Sequence, residues 1–581
     1  MKIYSTSRPI DVPRDLNLTE LLHTTATELP ESQIIAADSL TNRSITFGEL
    51  RDRAGRIAKG LKDALSPPDQ ARWAVALPNS VEFLEIFHAI LWTGGVVCPV
   101  NHALKASEMG HGLAVSRPHF VVAYGPMTAS VRAAVRVAGE ELLREKGVAW
   151  EPPPILSMVK PGRGTKSIPD DFFSSTRLAV PHWTDTSVRL ASIHLSSGTT
   201  GRPKGVELTH RNFVSNVMQL VALDPARQMF GPSSRTVAFT PWAHIAMTTA
   251  PLFLGPYTGM FHHAMPRYNL DDFGRLVEST RATAFQGVPS VVLSLARSDV
   301  TERFDFSGAR IITVGGAPLT AEQLARLLGR APWRLVQAYG MTEAAGYVAH
   351  QAFDEVVPDG CTGTLLPGIE AALKREGTTE DAPPGGPGEL WLRGPNVTRG
   401  YAFDPDANRA AFGAEGWYNT GDVCRIDERG RVFIVGRAKE LIKYKGFQVS
   451  PGELERIVNS HPDVGEAGVG ALWDADQLTE LPTAWVVLKK GGGDQKERSK
   501  VPQKEEEEEE EERRKIVDRL RAIQRAVDGQ VSGYKKLRGG VWAVDKLPRN
   551  ATGKILRPEL VKMTKGPCSL AMKPRTLTAK L

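Results

Sequence analysis

Short runs of Val, Ile and Leu alternate with amphipathic segments up to about Val435, and no other pattern constrains the fold so much. Residues 73–77 read as a buried strand and residues 80–92 as the helix that follows it. Residues 309–314 form a second apolar run closed by Gly315 and Gly316. Thr320 and Gln323 then offer a capping box before Leu324, Leu327 and Leu328. Strand, turn and helix in series predict an α/β architecture around largely parallel sheets. At 581 residues the chain exceeds a single core, so several packing units are expected.

Two stretches of the chain are irregular. Residues 147–182, rich in proline, glycine and charge, read as a surface loop. Residues 490–515 include three consecutive glycines and the glutamate run Glu505 to Glu512. Self-repulsion along such a run predicts a solvated, disordered insertion of a small carboxy-terminal domain, between a strand at 483–488 and a helix at 516–527.

One turn of the series carries chemistry. Residues 188–195 read as a short strand, and Thr209 can cap a helix whose Phe213, Val217, Leu220 and Val221 recur at helical spacing. Between them stand Ser196, Ser197, Gly198, Thr199, Thr200, Gly201, Arg202, Pro203, Lys204 and Gly205. The glycines let backbone N–H groups approach an anion, the hydroxyls add donors, and Lys204 supplies a mobile positive charge. The loop is a polyphosphate cradle, and not a Walker loop, because Pro203 precedes the lysine and Gly205 follows it.

Four signatures follow in order. Tyr339-Gly340-Met341-Thr342-Glu343 places a hydroxyl and a carboxylate after a strand at 334–338. Thr420-Gly421-Asp422 offers an acid on a tight turn. The run from Gly436 through Arg437, Lys439, Lys443, Lys445, Gly446 and Gln448 leads into Ser450-Pro451-Gly452-Glu453, a capping box with proline at the first helical position. Finally, Leu547-Pro548-Arg549-Asn550-Ala551-Thr552-Gly553-Lys554 ends in a lysine on a glycine turn.

This set resembles the adenylate-forming superfamily of acyl-CoA synthetases, adenylation domains and luciferases, most closely its 4-coumarate–CoA ligase-like branch, over nearly the whole chain. The resemblance implies a large amino-terminal domain at 1–436 of stacked α/β subdomains plus a β-barrel-like subdomain. A small mobile α+β domain at 437–566 would follow. It also implies ATP, Mg²⁺ and coenzyme A, with a small-molecule carboxylic acid converted to an acyl-adenylate and then to a thioester.

By that resemblance Thr199 and Lys204 hold the β/γ phosphates within the loop Ser196, Ser197, Gly198, Thr200 and Gly201. Ala338, Tyr339 and Gly340 adjoin the nucleotide, Thr342 touches the α-phosphate, and Glu343 holds Mg²⁺. Asp422 accepts the ribose hydroxyls, with Arg437 as a second contact. Lys554 bridges carboxylate and α-phosphate during adenylation. A rotation at Lys439 would then replace it with Lys443, Lys445, Gly446 and Gln448, facing the adenylate and the pantetheine channel.

His244, in Pro241-Trp242-Ala243-His244-Ile245-Ala246-Met247, matches the family's histidine beside the acyl pocket and the path of the thiol. Ala246 stands where coumarate ligases usually carry tyrosine, and Ala344-Ala345-Gly346-Tyr347 departs from their usual Ala-Gly-Pro. With Gly315 and Gly316 these residues outline the acyl pocket, and the missing phenol partner predicts an acid other than 4-coumarate. Medium or branched aliphatic acids, or another aryl or polyketide-like acid, are the expectation. The alternatives are an enzyme loading a carrier protein, a luciferase-like oxygenase, and a non-catalytic interaction protein on the same scaffold. A hydrolase is disfavoured, since no Gly-x-Ser-x-Gly elbow occurs.

Bulk composition narrows partners and compartment. A net charge of +6 is small for this length and demands no nucleic acid. Cys98, Cys361, Cys424 and Cys568 form no Cys-x-x-Cys pair, which fits a reducing, intracellular setting without a zinc site. Residues 1–14 lack an apolar core and no apolar stretch reaches membrane-spanning length, so no transmembrane segment is expected. Residues 567–581 read as an exposed tail ending in Ala579, Lys580 and Leu581. That ending is close to the address read by the peroxisomal import receptor, with a cytoplasmic location otherwise.

Overall fold

The computed structural model describes residues 2–6, 10–24, 29–196, 203–287, 298–315, 333–445, 447–474, 479–489, 502–549, 553–570 and 577–578, with single positions at 291, 294, 295 and 477. Two large sheets organise the amino-terminal part. The first runs, edge to edge, through strands 400–401, 204–209, 190–196, 96–99, 72–76, 120–124, 155–158 and 167–168. Its middle is parallel, and apolar runs such as Arg72–Ala76 and Val96–Pro99 are buried almost throughout, as strands covered on both faces must be.

The second sheet begins with strands 44–46, 34–38, 261–264, 235–238, 284–287, 311–314 and 334–339. It continues without a break into antiparallel strands 349–350, 361–365, 431–437, 418–426, 388–393 and 370–374, the barrel-like portion.

Helix Val81–Trp92, capped by Ser80, touches strands of both sheets and is buried at every position. Each fully buried Leu, Ile or Phe there contributes about 1.5–3 kcal/mol. Its acids are not orphaned, because Glu85, wholly buried, pairs with Arg43 at 2.8 Å and with Arg53.

The carboxy-terminal part has its own core, in which Leu454, Val458, Val469, Val486, Leu520, Ile523 and Val527 are buried. Strands 541–543, 479–488, 464–474 and 577–578 form its sheet, and the hairpin Ile442–Tyr444/Phe447–Val449 projects beside it. The chain crosses between the two parts in residues 438–441, which contain the exposed Lys439.

Several expectations need correction. Residues 147–182 are not simply a loop. Strands Ile155–Met158 and Ser167–Ile168 extend the first sheet because Leu156, Met158, Ile168 and Phe172 reach the core, a pattern that the surrounding prolines and glycines hide. The glutamate run lies in a continuous helix, Pro502–Asp528, rather than a disordered insertion. The helix grows from the docked turns bearing Leu520, Ile523 and Val527. The acids occupy the end favoured by the macrodipole, and Glu510–Arg514 (2.9 Å) and Glu511–Lys515 (2.7 Å) pair one turn apart. Residues 490–501 and the capping box at Thr320 and Gln323 lie outside the described residues.

The Ser450 cap is half a box. Its hydroxyl accepts from the Glu453 N–H, but the Glu453 carboxylate turns to Lys535 at 2.6 Å. Nor is all of 567–581 exposed. Ser569 is buried, its hydroxyl donating to Gln524 Oε1 at 2.6 Å, and Leu577–Thr578 pairs with strand 464–474. Ala579, Lys580 and Leu581 lie outside the described residues. Among the described residues no helix is long and apolar enough to cross a membrane.

Candidate active site

The phosphate loop is the tip of a hairpin. Strand Leu190–Ser196 pairs antiparallel with Lys204–Thr209, Ser196 opposite Lys204, so a second strand intervenes where strand, loop and helix were expected. Thr209 then caps helix His210–Leu223 as predicted, in a box with Asn212. Ser197, Gly198, Thr199, Thr200 and Gly201 lie outside the described residues, but both stems are placed. The buried Ser196 faces Glu343, and Lys204 Nζ sits 4.9 Å above the Tyr401 ring.

Strand Arg334–Tyr339 delivers the next motif. A Cβ on Gly340 would stand 1.8 Å from the Gly346 carbonyl oxygen, so only glycine lets residues 340–347 fold back so tightly. That fold buries the Glu343 carboxylate. Tyr401 donates to its Oε1 at 3.1 Å and also meets the Tyr418 hydroxyl at 3.1 Å. Burial raises the Glu343 pKa, opposed by the Tyr401 hydroxyl, by Arg437 and by the Ser196 hydroxyl. Thr342 is half-buried beside it.

Sequence reasoning missed what holds this loop. Asn396, fully buried, donates to the carbonyls of Ala344 (2.9 Å) and Tyr347 (3.1 Å). Asn216 donates to the same Tyr347 oxygen at 2.9 Å and accepts from its N–H at 3.1 Å. Gln219 and Asn212 reach the carbonyls of Pro367, Pro395 and Val397. A signal was present. Asn212, Asn216 and Gln219 recur at i, i+4 and i+7 on the buried side of helix His210–Leu223, where amides persist only if backbone groups satisfy them.

The third motif is a strand with a bulge rather than a tight turn. Gly421, at φ +69°, lies inside strand Tyr418–Ile426, and the shifted register turns Asp422 inward. Arg437 Nε donates to Asp422 Oδ1 at 2.7 Å, and the Tyr339 hydroxyl donates to Oδ2 at 2.5 Å. Burial raises the Asp422 pKa while Arg437 works against it.

Lys554 arrives from the small domain beside this pair. It follows Gly553, at φ +80°, and is half-buried. Desolvation lowers its pKa, with the charges of Arg437, Glu440, Arg557 and Asp422 all close enough to act on it. Arg557 braces the turn through Glu455 (2.9 and 3.0 Å) and Glu440.

Lys443 is elsewhere. It is exposed on its hairpin and pairs at 3.2 Å with Glu376 of the large domain, while its N–H donates to Glu480 at 2.7 Å. Lys445 is exposed with φ +46°; Gly446 and the Gln448 side chain lie outside the described residues. The structure therefore places Lys554, and not Lys443, within electrostatic reach of Arg437 and Asp422.

On the acyl side, His244 precedes the short turn Ile245–Met247. Its ring reaches solvent yet is crowded by protein, and desolvation lowers its pKa. Ala246 is half-buried in the same turn. Tyr347 is buried; Gln286 Nε2 donates to its hydroxyl at 2.7 Å, and burial pushes its pKa up to about 12. Gly315 lies against strand 334–339, where a Cβ would meet the Ala338 carbonyl at 3.1 Å, and Gly316 is outside the described residues. Ala345 is fully buried at φ +54°, its carbonyl taking the Thr249 hydroxyl at 2.6 Å. It contributes backbone rather than a lining side chain.

Comparison with known proteins places the chain in a family. Residues 22–402 match the model of the AMP-binding enzyme family and residues 453–554 that of the AMP-binding enzyme C-terminal domain. The 4-coumarate–CoA ligase-like 6 protein of Oryza sativa subsp. japonica is 32% identical over 90% of this chain and 83% of its own length. The 4-coumarate–CoA ligase-like 9 protein of Arabidopsis thaliana is 31% identical over 96% and 92%. Among solved structures, ATP-bound MatB from Rhodopseudomonas palustris superposes with a TM-score of 0.77 at 27% identity, covering 94% of this chain and 99% of that one. The chain belongs to the AMP-binding, adenylate-forming enzymes, in their 4-coumarate–CoA ligase-like branch, and is an AMP-forming acyl-CoA synthetase.

Proposed function

We propose that the chain activates a carboxylic acid other than 4-coumarate as its acyl-adenylate and passes the acyl group to coenzyme A, using Lys554 in the first step and Lys443 in the second. The observation that carries this reading is that Lys554 lies half-buried where the charges of Arg437 and Asp422 act on it, while Lys443 pairs with Glu376. A lysine there neutralises the attacking carboxylate and the α-phosphate as charge develops, and Lys204 does the same for the departing pyrophosphate. Asp422, already accepting two hydrogen bonds, is the acceptor for the ribose hydroxyls.

Glu343 suits Mg²⁺. It is a buried carboxylate that accepts from the Tyr401 hydroxyl, and among the described residues no cluster of three His, Cys, Asp or Glu side chains forms a closed cage. One carboxylate completed by substrate phosphates is the usual way a protein holds this ion, which would supply charge neutralisation at the phosphates.

Against 4-coumarate stands Ala246, too short to meet a phenol. The test is pyrophosphate release over a panel of aliphatic, branched and aryl acids, with and without coenzyme A. The expected result is release with an acid other than 4-coumarate and thioester formation when coenzyme A is added. Best activity with 4-coumarate overturns the substrate reading, and pyrophosphate release without thioester overturns coenzyme A as the acceptor.

A further inference from the structure

The hairpin that carries the phosphate loop and the turn that carries His244 are joined by a buried polar chain. Ser192 Oγ and His194 Nδ1 lie 2.8 Å apart, and His194 Nε2 lies 2.8 Å from Thr248 Oγ1. Thr248 Oγ1 is in turn 2.9 Å from the Trp242 carbonyl, with the His244 carbonyl at 3.5 Å, and the Thr248 N–H donates to that same His244 carbonyl at 2.9 Å. Ser192, His194 and Thr248 are all buried.

The direction of the chain follows from counting hydrogens. A threonine hydroxyl has one, and Thr248 uses it on the Trp242 carbonyl, so it must accept from His194. His194 then carries its proton on Nε2, and Nδ1 accepts from Ser192. Complete burial agrees with this neutral imidazole, pushing the pKa down to about 3, and the nearby His244 adds to the shift.

The next residue extends the brace. Thr249 donates to the Ala345 carbonyl, tying the same turn to the loop that bears Glu343. Consecutive threonines thus hang the His244 turn between the two phosphate-side motifs.

We infer that His194 is a positioning residue: through Thr248 it fixes the His244 turn against the strand that ends in the phosphate loop, so that the acyl and thiol side of the site keeps register with the phosphate side. The inference rests on the reading of His244 as facing the acyl group and the path of the thiol. A displacement of this kind acts on the groups that His244 meets more than on the nucleotide, which on the proposed reading is held by Lys204, Asp422 and Arg437, the first above the Tyr401 ring and the other two paired with each other on other strands.

The experiment uses the full-length enzyme with the best acid from the panel. H194F and T248V are expected to raise the KM for the acid and for coenzyme A about 10-fold or more, as small misplacements near reacting groups do. The KM for ATP should stay within about twofold. The double variant should be no worse than the worse single one, because both cut one chain. H194Q, whose amide can accept from Ser192 and donate to Thr248, should recover most of the loss. H244A is the control. If it shifts the acid and coenzyme A parameters while H194F and T248V do not, the positioning role is overturned. If H244A shifts neither, the reading of His244 falls with it. Equal rises in all three KM values, tracking a lowered melting temperature, would mark His194 as a core residue only and also overturn the inference. Should H194F not fold, S192A and T248V carry the same comparison.

Discussion

The two sources of charge at this site are built differently. Glu343 and Asp422 of the large domain are buried, and each receives a tyrosine hydroxyl, Tyr401 at 3.1 Å and Tyr339 at 2.5 Å, from a strand locked in a sheet. Lys443 of the small domain is exposed and meets the large domain through an ion pair with Glu376. Lys554 lies between these extremes, half-buried and braced by Arg557. On the proposed two-step reading the acids stay in place through both half-reactions, and fixing them in the core removes the cost of reorganising them at the moment of reaction. On the same reading the lysines exchange, and surface pairs worth about 0–1 kcal/mol let a domain leave without breaking a core.

The sharpest way to break this contrast is to remove each lysine separately. K554A should lower adenylation, read as acid-dependent pyrophosphate release, by about 100-fold or more, the scale for losing one preorganised group at a developing charge. Thioester formation from supplied acyl-adenylate should then change less than about threefold. K443A should invert the pattern, slowing the thioester step about 10-fold while adenylation stays within about threefold. Equal loss of both half-reactions in either variant would show that one fixed arrangement serves both.

The buried half can be tested at its brace. N396A leaves the Ala344 carbonyl without its amide donor, whereas the Tyr347 carbonyl keeps Asn216. The expected cost is about 1–3 kcal/mol of folding free energy, measured by urea denaturation. The Mg²⁺ concentration needed for half-maximal activity should rise with it, because Glu343 sits on the loosened loop. Unchanged stability would mean that the loop does not depend on the amides.

The motifs were legible because each compresses a geometric demand into a few residues. Gly340 is forced by the approach of Gly346, Thr209 by the helix it caps, and Lys554 by a turn on Gly553. Their meeting was not legible from spacing. Asp422 faces Arg437 only because a bulge at Gly421 shifts the register, and glycine in a strand pattern reads equally well as a turn. The supporting amides were missed for the opposite reason. Asn212, Asn216 and Gln219 share the helix face of Phe213 and Leu220, and composition alone does not say which backbone carbonyls lie across from it. The glutamate run misled because self-repulsion is a local argument, while the helix that holds it is anchored by Leu520 and Ile523 further along.

The smallest effect bears on the exchange itself. In E376Q the partner of Lys443 loses its charge while shape and hydrogen-bonding capacity persist. Lys443 is more than half exposed, so the pair contributes about 1 kcal/mol or less and its loss should shift the balance between the two domain arrangements by about fivefold at most. The shift has a direction. The Lys554-in arrangement is the one that the pair accompanies, so adenylation should slow slightly, thioester formation from supplied acyl-adenylate should quicken slightly, and the exposed Lys439 at the crossing should become more open to trypsin. Salt at about 0.5 M should reproduce the change in the unsubstituted enzyme and add nothing in E376Q, since a surface pair is screened and an amide is not. If salt acts equally on both proteins, the ion pair takes no part in the exchange, and the difference in build between the two halves lies in burial alone.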